Sequence, residues 1–210
     1  MNVLSHRGYW QHKAEKNTET AFRRSFSLGF GTETDIRDAN GDIVICHDPP
    51  TGGEMSLSRF LQLHAEYGGQ LPLALNVKAD GLQGPVCELL SRFQVKDYFM
   101  FDMSVPDALG YINKGCPVFT RASELEPTPS FYEEAEGVWV DAFRGIWYSE
   151  EVLSGFLDDG KRVCVVSAEL HQRAHLETWK ALARMNCRNH PRLSLCTDLP
   201  EDASAFFEDA

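Results

Sequence analysis

Short apolar runs alternate along the whole chain with stretches of helical period, and no other feature limits the fold as much. A run of four to six apolar residues bounded by turn residues reads as a strand. Apolar positions at i, i+3, i+4 and i+7 read as one face of a helix. Strands are predicted at Asn2–Ser5, Thr32–Arg37, Pro72–Lys78, Tyr98–Asp102, Pro117–Arg121, Gly137–Asp141, Arg162–Ser167 and Leu193–Thr197. Helices are predicted over Thr18–Leu28, Ser56–Tyr67 and Leu82–Phe93, from Ser104 onward, after a cap at Ser149, and over Gln172–Arg184 and Glu201–Glu208. A short helical piece is expected near Ser130–Ala135. Eight strands, each followed by helix, imply a parallel sheet with right-handed crossovers. Eight such units close into a barrel. The expected fold is therefore α/β, a compact TIM-type (β/α)8 barrel, with a doubly wound open sheet as the competing architecture. A barrel puts its chemistry at the C-terminal ends of strands.

The length, 210 residues, suits one domain spanning 1–210, and no linker or repeat divides it. The formal net charge is −11 and no basic run offsets it. That balance argues against nucleic acid or anionic membranes as partners. An anionic substrate would need a few placed cations or a metal ion. No apolar run approaches the roughly 18 residues of a membrane span. The six cysteines show no C-x-x-C spacing and are expected as reduced thiols. With strand-like sequence starting at Asn2, a cytoplasmic protein is expected.

The second strand reads T-E-T-D-I-R, so Glu33 and Asp35 share one face. Two adjacent carboxylates repel unless a cation joins them, and a hard divalent ion with oxygen ligands is the economical one. His6 directly follows the first strand. His47 follows Ile43–Cys46, an extended run that returns from the turn signal Asn40-Gly41. Histidine titrates near neutrality and serves as base or acid there. Asp48 could orient one ring and Arg7 could meet a phosphoryl oxygen. The third strand, L-P-L-A-L-N-V-K, turns Ala74, Asn76 and Lys78 inward, where an amide and an ammonium need partners. Trp10, Trp139, Arg121, Asp141 and Glu169 are weaker candidates for the pocket wall. His171 and His175 read as an exposed pair, and His12, His64 and His190 have no supporting context.

The ordered series H-R-G (His6 to Gly8), N-T-x-x-A-F (Asn17 to Phe22), E-x-D (Glu33 to Asp35), N-G-D-I-V-I-C-H-D (Asn40 to Asp48), N-x-K (Asn76 to Lys78) and T-D-L-P (Thr197 to Pro200) resembles the glycerophosphodiester phosphodiesterases. These belong with the phosphodiesterase barrels that include phosphatidylinositol-specific phospholipases C and sphingomyelinase D. The resemblance implies that Glu33 and Asp35, with Asn76, hold a divalent cation, Mg²⁺ or Ca²⁺. It also implies that His6 and His47 act as acid and base, and that Arg7 and Lys78 bind the phosphate. Metal-assisted hydrolysis of a small phosphodiester, a glycerophosphodiester foremost, is the implied activity. The sequence departs from that pattern at Asn76 and Lys16, each standing where the family carries Glu, and Glu15 is one place removed. The segment from His47 to the third strand is short, leaving little of a substrate-capping insertion. Two alternatives stay open: a catalytically degenerate barrel that binds a phosphorylated ligand or partner, and a lyase releasing a cyclic phosphate.

Overall fold

A computed structural model describes residues 1–208 of the chain, which divides into two compact units. One runs from Ser5 to Val118; the other combines Met1–Leu4 with the chain from Phe119 onward.

The first unit holds α1 (Glu19–Ser27), β2 (Gly31–Ala39), β3 (Asp42–Ile45), β4 (Met55–Ser56), α2 (Leu57–Glu66), β5 (Leu73–Val77), α3 (Gln83–Arg92), β6 (Tyr98–Phe101) and α4 (Val105–Ile112). The end of β1 (Asn2–His6) also belongs to it. β2 pairs with β5 in parallel, which sets Glu33 beside Ala74 and Asp35 beside Asn76; β5 pairs with β6 in parallel. Beyond β5's reach, β2 continues and folds back on itself. Asn40 (φ 52°) and Gly41 (φ 90°) both take the left-handed conformation, and the turn returns the chain as antiparallel β3. A last antiparallel pairing adds β4.

Packing follows the predicted helical faces. Ala21, Phe22 and Phe26 of α1 and Leu57, Phe60 and Leu61 of α2 are buried, with Phe22 and Phe60 meeting edge to face at 4.6 Å. Each large side chain buried in this way contributes roughly 1.5–3 kcal/mol. Ser56 caps α2, its hydroxyl accepting the Arg59 N–H at 3.1 Å. His64 joins the same core and bonds the Leu71 carbonyl at 2.8 Å; burial lowers its pKa.

The second unit contains β7 (Phe119–Ala122), β8 (Gly137–Val140), α5 (Glu150–Asp158), β9 (Arg162–Val166), α6 (Leu176–Ala183), β10 (Leu193–Thr197) and α7 (Pro200–Glu208). β7, β8, β9 and β10 pair in that order, all in parallel.

Three expectations are corrected. Residues 130–135 form turns rather than a helical piece. Their carbonyls are satisfied from far along the chain, because the Lys161 ammonium donates to Tyr132 and Ala135 (2.7 Å each) and Glu133 (3.2 Å). The helix predicted over Gln172–Arg184 starts only at Leu176, since Gln172 takes φ 59° and closes a separate short turn, Ala168–His171. The strands number ten among the described residues rather than eight: the extended run after Asn40-Gly41 forms β3, as expected, and β4 is the addition. The Cys87 and Cys116 sulfurs lie next to each other, and Cys46, Cys164, Cys187 and Cys196 are free. No described helix is long and apolar enough to cross a membrane.

Candidate active site

The site starts from a turn that only its sequence allows. After β1, Arg7 (φ 60°) and Gly8 (φ 77°) both take the left-handed conformation. A Cβ at Gly8 would sit 2.8 Å from Ala21 Cβ and 2.9 Å from the Ala21 backbone, so the H-R-G glycine is required twice over. The Gly8 N–H donates to Thr32 Oγ1 (3.0 Å), and the Arg7 N–H donates to the Glu33 carbonyl (2.9 Å) and to Glu33 Oε2 (3.2 Å). The turn thus places the Arg7 side chain against β2, with Nε 3.0 Å from Asp35 Oδ2.

Glu33 and Asp35 point from β2 into a buried cluster and expose almost nothing. Asp35 collects three partners. Besides Arg7, Asn17 Nδ2 donates to Oδ2 at 2.9 Å, and the Lys78 ammonium lies 3.5 Å from Oδ1. Lys78 also pairs with Asp102, at 3.6 Å. Glu33 has His6 Nε2 at 3.9 Å from Oε2. Burial pushes the Glu33 carboxyl up to about 8, and the neighbouring Asp35 charge adds to the rise, against the pull of Arg7 and Lys78. His6 ends β1, Lys78 follows β5 and Asp102 follows β6, so the cluster stands at the C-terminal ends of three parallel strands.

Asn76 Oδ1 is buried without a hydrogen-bond partner, and buried Asp35 Oδ1 has only its 3.5 Å ion pair with Lys78. The register sets their residues side by side. Buried acceptors without donors are costly. Together with Glu33 they make a set of oxygen donors, the chemistry a hard divalent cation takes. The residues therefore fit such an ion. Among the described residues no three His, Cys, Asp or Glu side chains form such a group; the third donor here is an amide.

His47 follows β3 and is 44% exposed. Its Nδ1 lies 2.9 Å from Asp48 Oδ1, a pairing that favours the proton on Nδ1 and leaves Nε2 as the basic nitrogen of the neutral ring. It lines a cavity of about 830 Å³ together with Arg7, Lys16 and Asn17. The structure thus gathers His6, Arg7, Glu33, Asp35, Asn76 and Lys78 into one cluster, and joins His47 to Arg7 through the shared cavity wall.

Two participants escaped the sequence reading. Asn17 holds Asp35 and accepts the Thr34 hydroxyl at 2.9 Å; its own N–H donates to the Arg7 carbonyl at 3.0 Å. Asp102 shares Lys78 with Asp35. The signal for both was position, Asn17 just ahead of a helix start and Asp102 at the C-terminal end of a predicted strand. Lys16 lies over the Trp10 ring, 4.4 Å from its centroid, and lines the same cavity. Glu15 does not stand in for the missing carboxylate: Arg24 holds it at 2.9 Å and lowers its pKa to about 2.

The weaker candidates of the second unit form contacts of their own. Asp141 Oδ1 bonds His171 Nε2, and His175 packs on Trp179 with centroids 4.3 Å apart, so these histidines are engaged rather than an exposed pair. Glu169 accepts the Ser167 and Thr197 hydroxyls and the Asp198 N–H. Trp139 is buried.

No model of a known protein family matches this sequence, and no curated protein does. Solved structures do match. A glycerophosphodiester phosphodiesterase from Agrobacterium tumefaciens str. C58 superposes with a TM-score of 0.71 at 14% identity, covering 99% of each chain. The chain has the glycerophosphodiester phosphodiesterase fold. An Oleispira antarctica phosphodiesterase, solved with the product sn-glycerol-3-phosphate, gives 0.70 at 16% identity over 99% of this chain and 97% of that one. A Ca²⁺-dependent phosphatidylinositol-specific phospholipase C from Streptomyces antibioticus gives 0.54 at 11% identity over 98% and 95%. The glycerophosphodiesterase fold is the TIM-type (β/α)8 barrel that the alternation predicts. At these identities the likeness concerns the fold; the chemistry rests on the residues described above.

Proposed function

We propose that the protein hydrolyses a small phosphodiester, a glycerophosphodiester foremost, to an alcohol and a phosphomonoester with the help of Mg²⁺ or Ca²⁺. One observation carries this reading: the buried Glu33–Asp35 pair sits between a histidine, His6, and two cations, Arg7 and Lys78. The product bound to the Oleispira antarctica enzyme supports the substrate class, and the Ca²⁺ dependence of the Streptomyces antibioticus enzyme supports the cation.

Glu33, Asp35 and Asn76 would hold the ion, which when bound supplies Lewis-acid polarisation of the phosphoryl group and stabilises developing negative charge. Arg7 and Lys78 bind the phosphoryl oxygens. Both already bridge to Asp35, so they stand preorganised near the place where that charge grows. One of His6 and His47 takes the proton from the attacking water; where a neighbouring hydroxyl of the substrate attacks first, water then opens the resulting cyclic phosphate to the phosphomonoester. As the new P–O bond forms, the bond to the leaving alcohol breaks, and the other histidine delivers its proton to that oxygen. Asp48 stabilises the His47 imidazolium, and Glu33 faces that of His6. The cavity volume falls within the usual range for small-molecule sites.

His6→Ala and His47→Ala should each lower kcat by about 10²- to 10⁴-fold. Circular dichroism should show an intact fold in both. Wild-type turnover in either variant refutes the assignment. Activity should vanish in chelator and return with Mg²⁺ or Ca²⁺, and full activity in chelator removes the cation from the scheme. One observation favours a second reading. Asp35 is already neutralised by Arg7 and Lys78, as suits a barrel that binds a phosphorylated ligand without turning it over. Phosphorus NMR separates the cases: a new phosphomonoester signal supports hydrolysis, a cyclic phosphate signal supports a lyase, and binding without product supports the second reading.

A further inference from the structure

The cavity beside His47 is lined by cations in a chain whose net charge is −11. Arg7, Lys13, Lys16 and Arg59 all contribute to its wall. Its three acids are directed to local partners. Glu19 is held by Arg59 and Arg23, each at 2.8 Å. Asp48 pairs with His47, and Glu54 accepts the backbone N–H groups of Thr51 (2.6 Å) and Gly52 (3.0 Å). Arg59 is itself paired to Glu19 and Glu66, so the positive charge that the wall offers an anion rests on Lys13 and Lys16, beside Arg7.

Lys16 is the best placed of these cations. Its neighbour Asn17 is tied to the Arg7 carbonyl and to Asp35, which fixes the Lys16 backbone against the reactive cluster. The Trp10 ring, 4.4 Å away, supports the ammonium from below. His47 and Arg7 line the same space. A substrate whose phosphorus lies at Arg7 would extend one of its alcohol substituents along this wall.

Resting on the phosphodiesterase reading, we propose that the preferred substrate carries a second anionic group, a carboxylate or a phosphate, on that substituent, and that Lys16, with Lys13, forms the subsite that binds it. A quaternary ammonium headgroup is disfavoured there by the same charges.

The test uses four sn-glycerol-3-phosphodiesters that differ in the second alcohol: glycerol, choline, glycerate and inositol 4-phosphate. The wild-type protein should show kcat/KM at least tenfold higher for the glycerate or inositol phosphate diester than for the choline diester. Preference for one of these two identifies the second anion as carboxylate or phosphate. Lys16→Glu should cut the anionic-to-cationic ratio of kcat/KM at least tenfold, and Lys16→Arg should preserve it. Lys13→Glu gives a second route if Lys16→Glu fails to fold. Equal kcat/KM across the panel, or a ratio unmoved by the charge reversals, overturns the subsite. Should no diester be turned over, calorimetry with the same four compounds decides the two readings separately. Tighter binding of the anionic diesters, lost in Lys16→Glu, upholds the subsite and sinks hydrolysis; equal binding sinks the subsite.

Discussion

At the scale of single residues, Glu33 makes stability depend on pH in a definite direction. Its carboxyl is raised to about 8 in the folded protein, whereas an unfolded chain ionises it near 4.5. Below pH 4.5 both states are protonated and no penalty exists. Between about 4.5 and 8 the unfolded state releases the proton while the folded state keeps it, so stability falls as pH rises and levels off above 8. Glu33→Gln cannot ionise. It should match the wild type in urea melts at pH 4 and exceed it at pH 9 by on the order of a few kcal/mol. An equal shift at both pH values would show that Glu33 is not the group responsible. Asn76 is the complementary case. Asn76→Glu adds a charged oxygen beside Asp35, and calorimetry should find Ca²⁺ or Mg²⁺ bound at least about tenfold more tightly; an unchanged affinity takes position 76 out of the coordination. The inward side chains of β2 and β5 were legible because strand alternation dictates their face. Asn17 was not, because it reaches Asp35 through its own left-handed backbone (φ 60°) and across 18 residues of sequence, which no periodicity encodes.

At the scale of elements, the H-R-G turn shows how a motif can be structural as well as chemical. Gly8→Ala would force a side chain into left-handed backbone and against α1. Together these should cost about 2–4 kcal/mol, read as a lowered urea midpoint. Activity should fall with it, since the same turn aims Arg7 at Asp35. A melt indistinguishable from wild type would mean that the turn relaxes freely. The strands and most helices were legible from local pattern, for their apolar faces lie within one short window. The piece near Ser130–Ala135 was not. Its carbonyls turn toward Lys161, whose ammonium arrives from 26 to 29 residues away, and a local window cannot see that competitor for the helix's own hydrogen bonds. The start of α6 failed similarly, at Gln172, where a polar residue took a conformation usually left to glycine.

At the scale of the whole molecule, the fold survives identities of 11 to 16% because it is written in the order of apolar runs, which many sequences satisfy. The site is written in particular side chains and tolerates far less. The antiparallel fold-back of β2 onto β3 joins these two kinds of information. His6 stands on a strand of the parallel scaffold, so its place cannot change without rebuilding the barrel. His47 rides on an arm whose alignment is set by one tight turn and four paired positions, Ile36 to Ala39 against Ile45 to Asp42. One residue gained or lost within β3 would swing everything beyond it to the opposite face. The two histidines are thus inherited under different rules: one is fixed by architecture, and the other can be moved by a change in length alone, which under the proposed mechanism leaves the barrel standing and its chemistry silent.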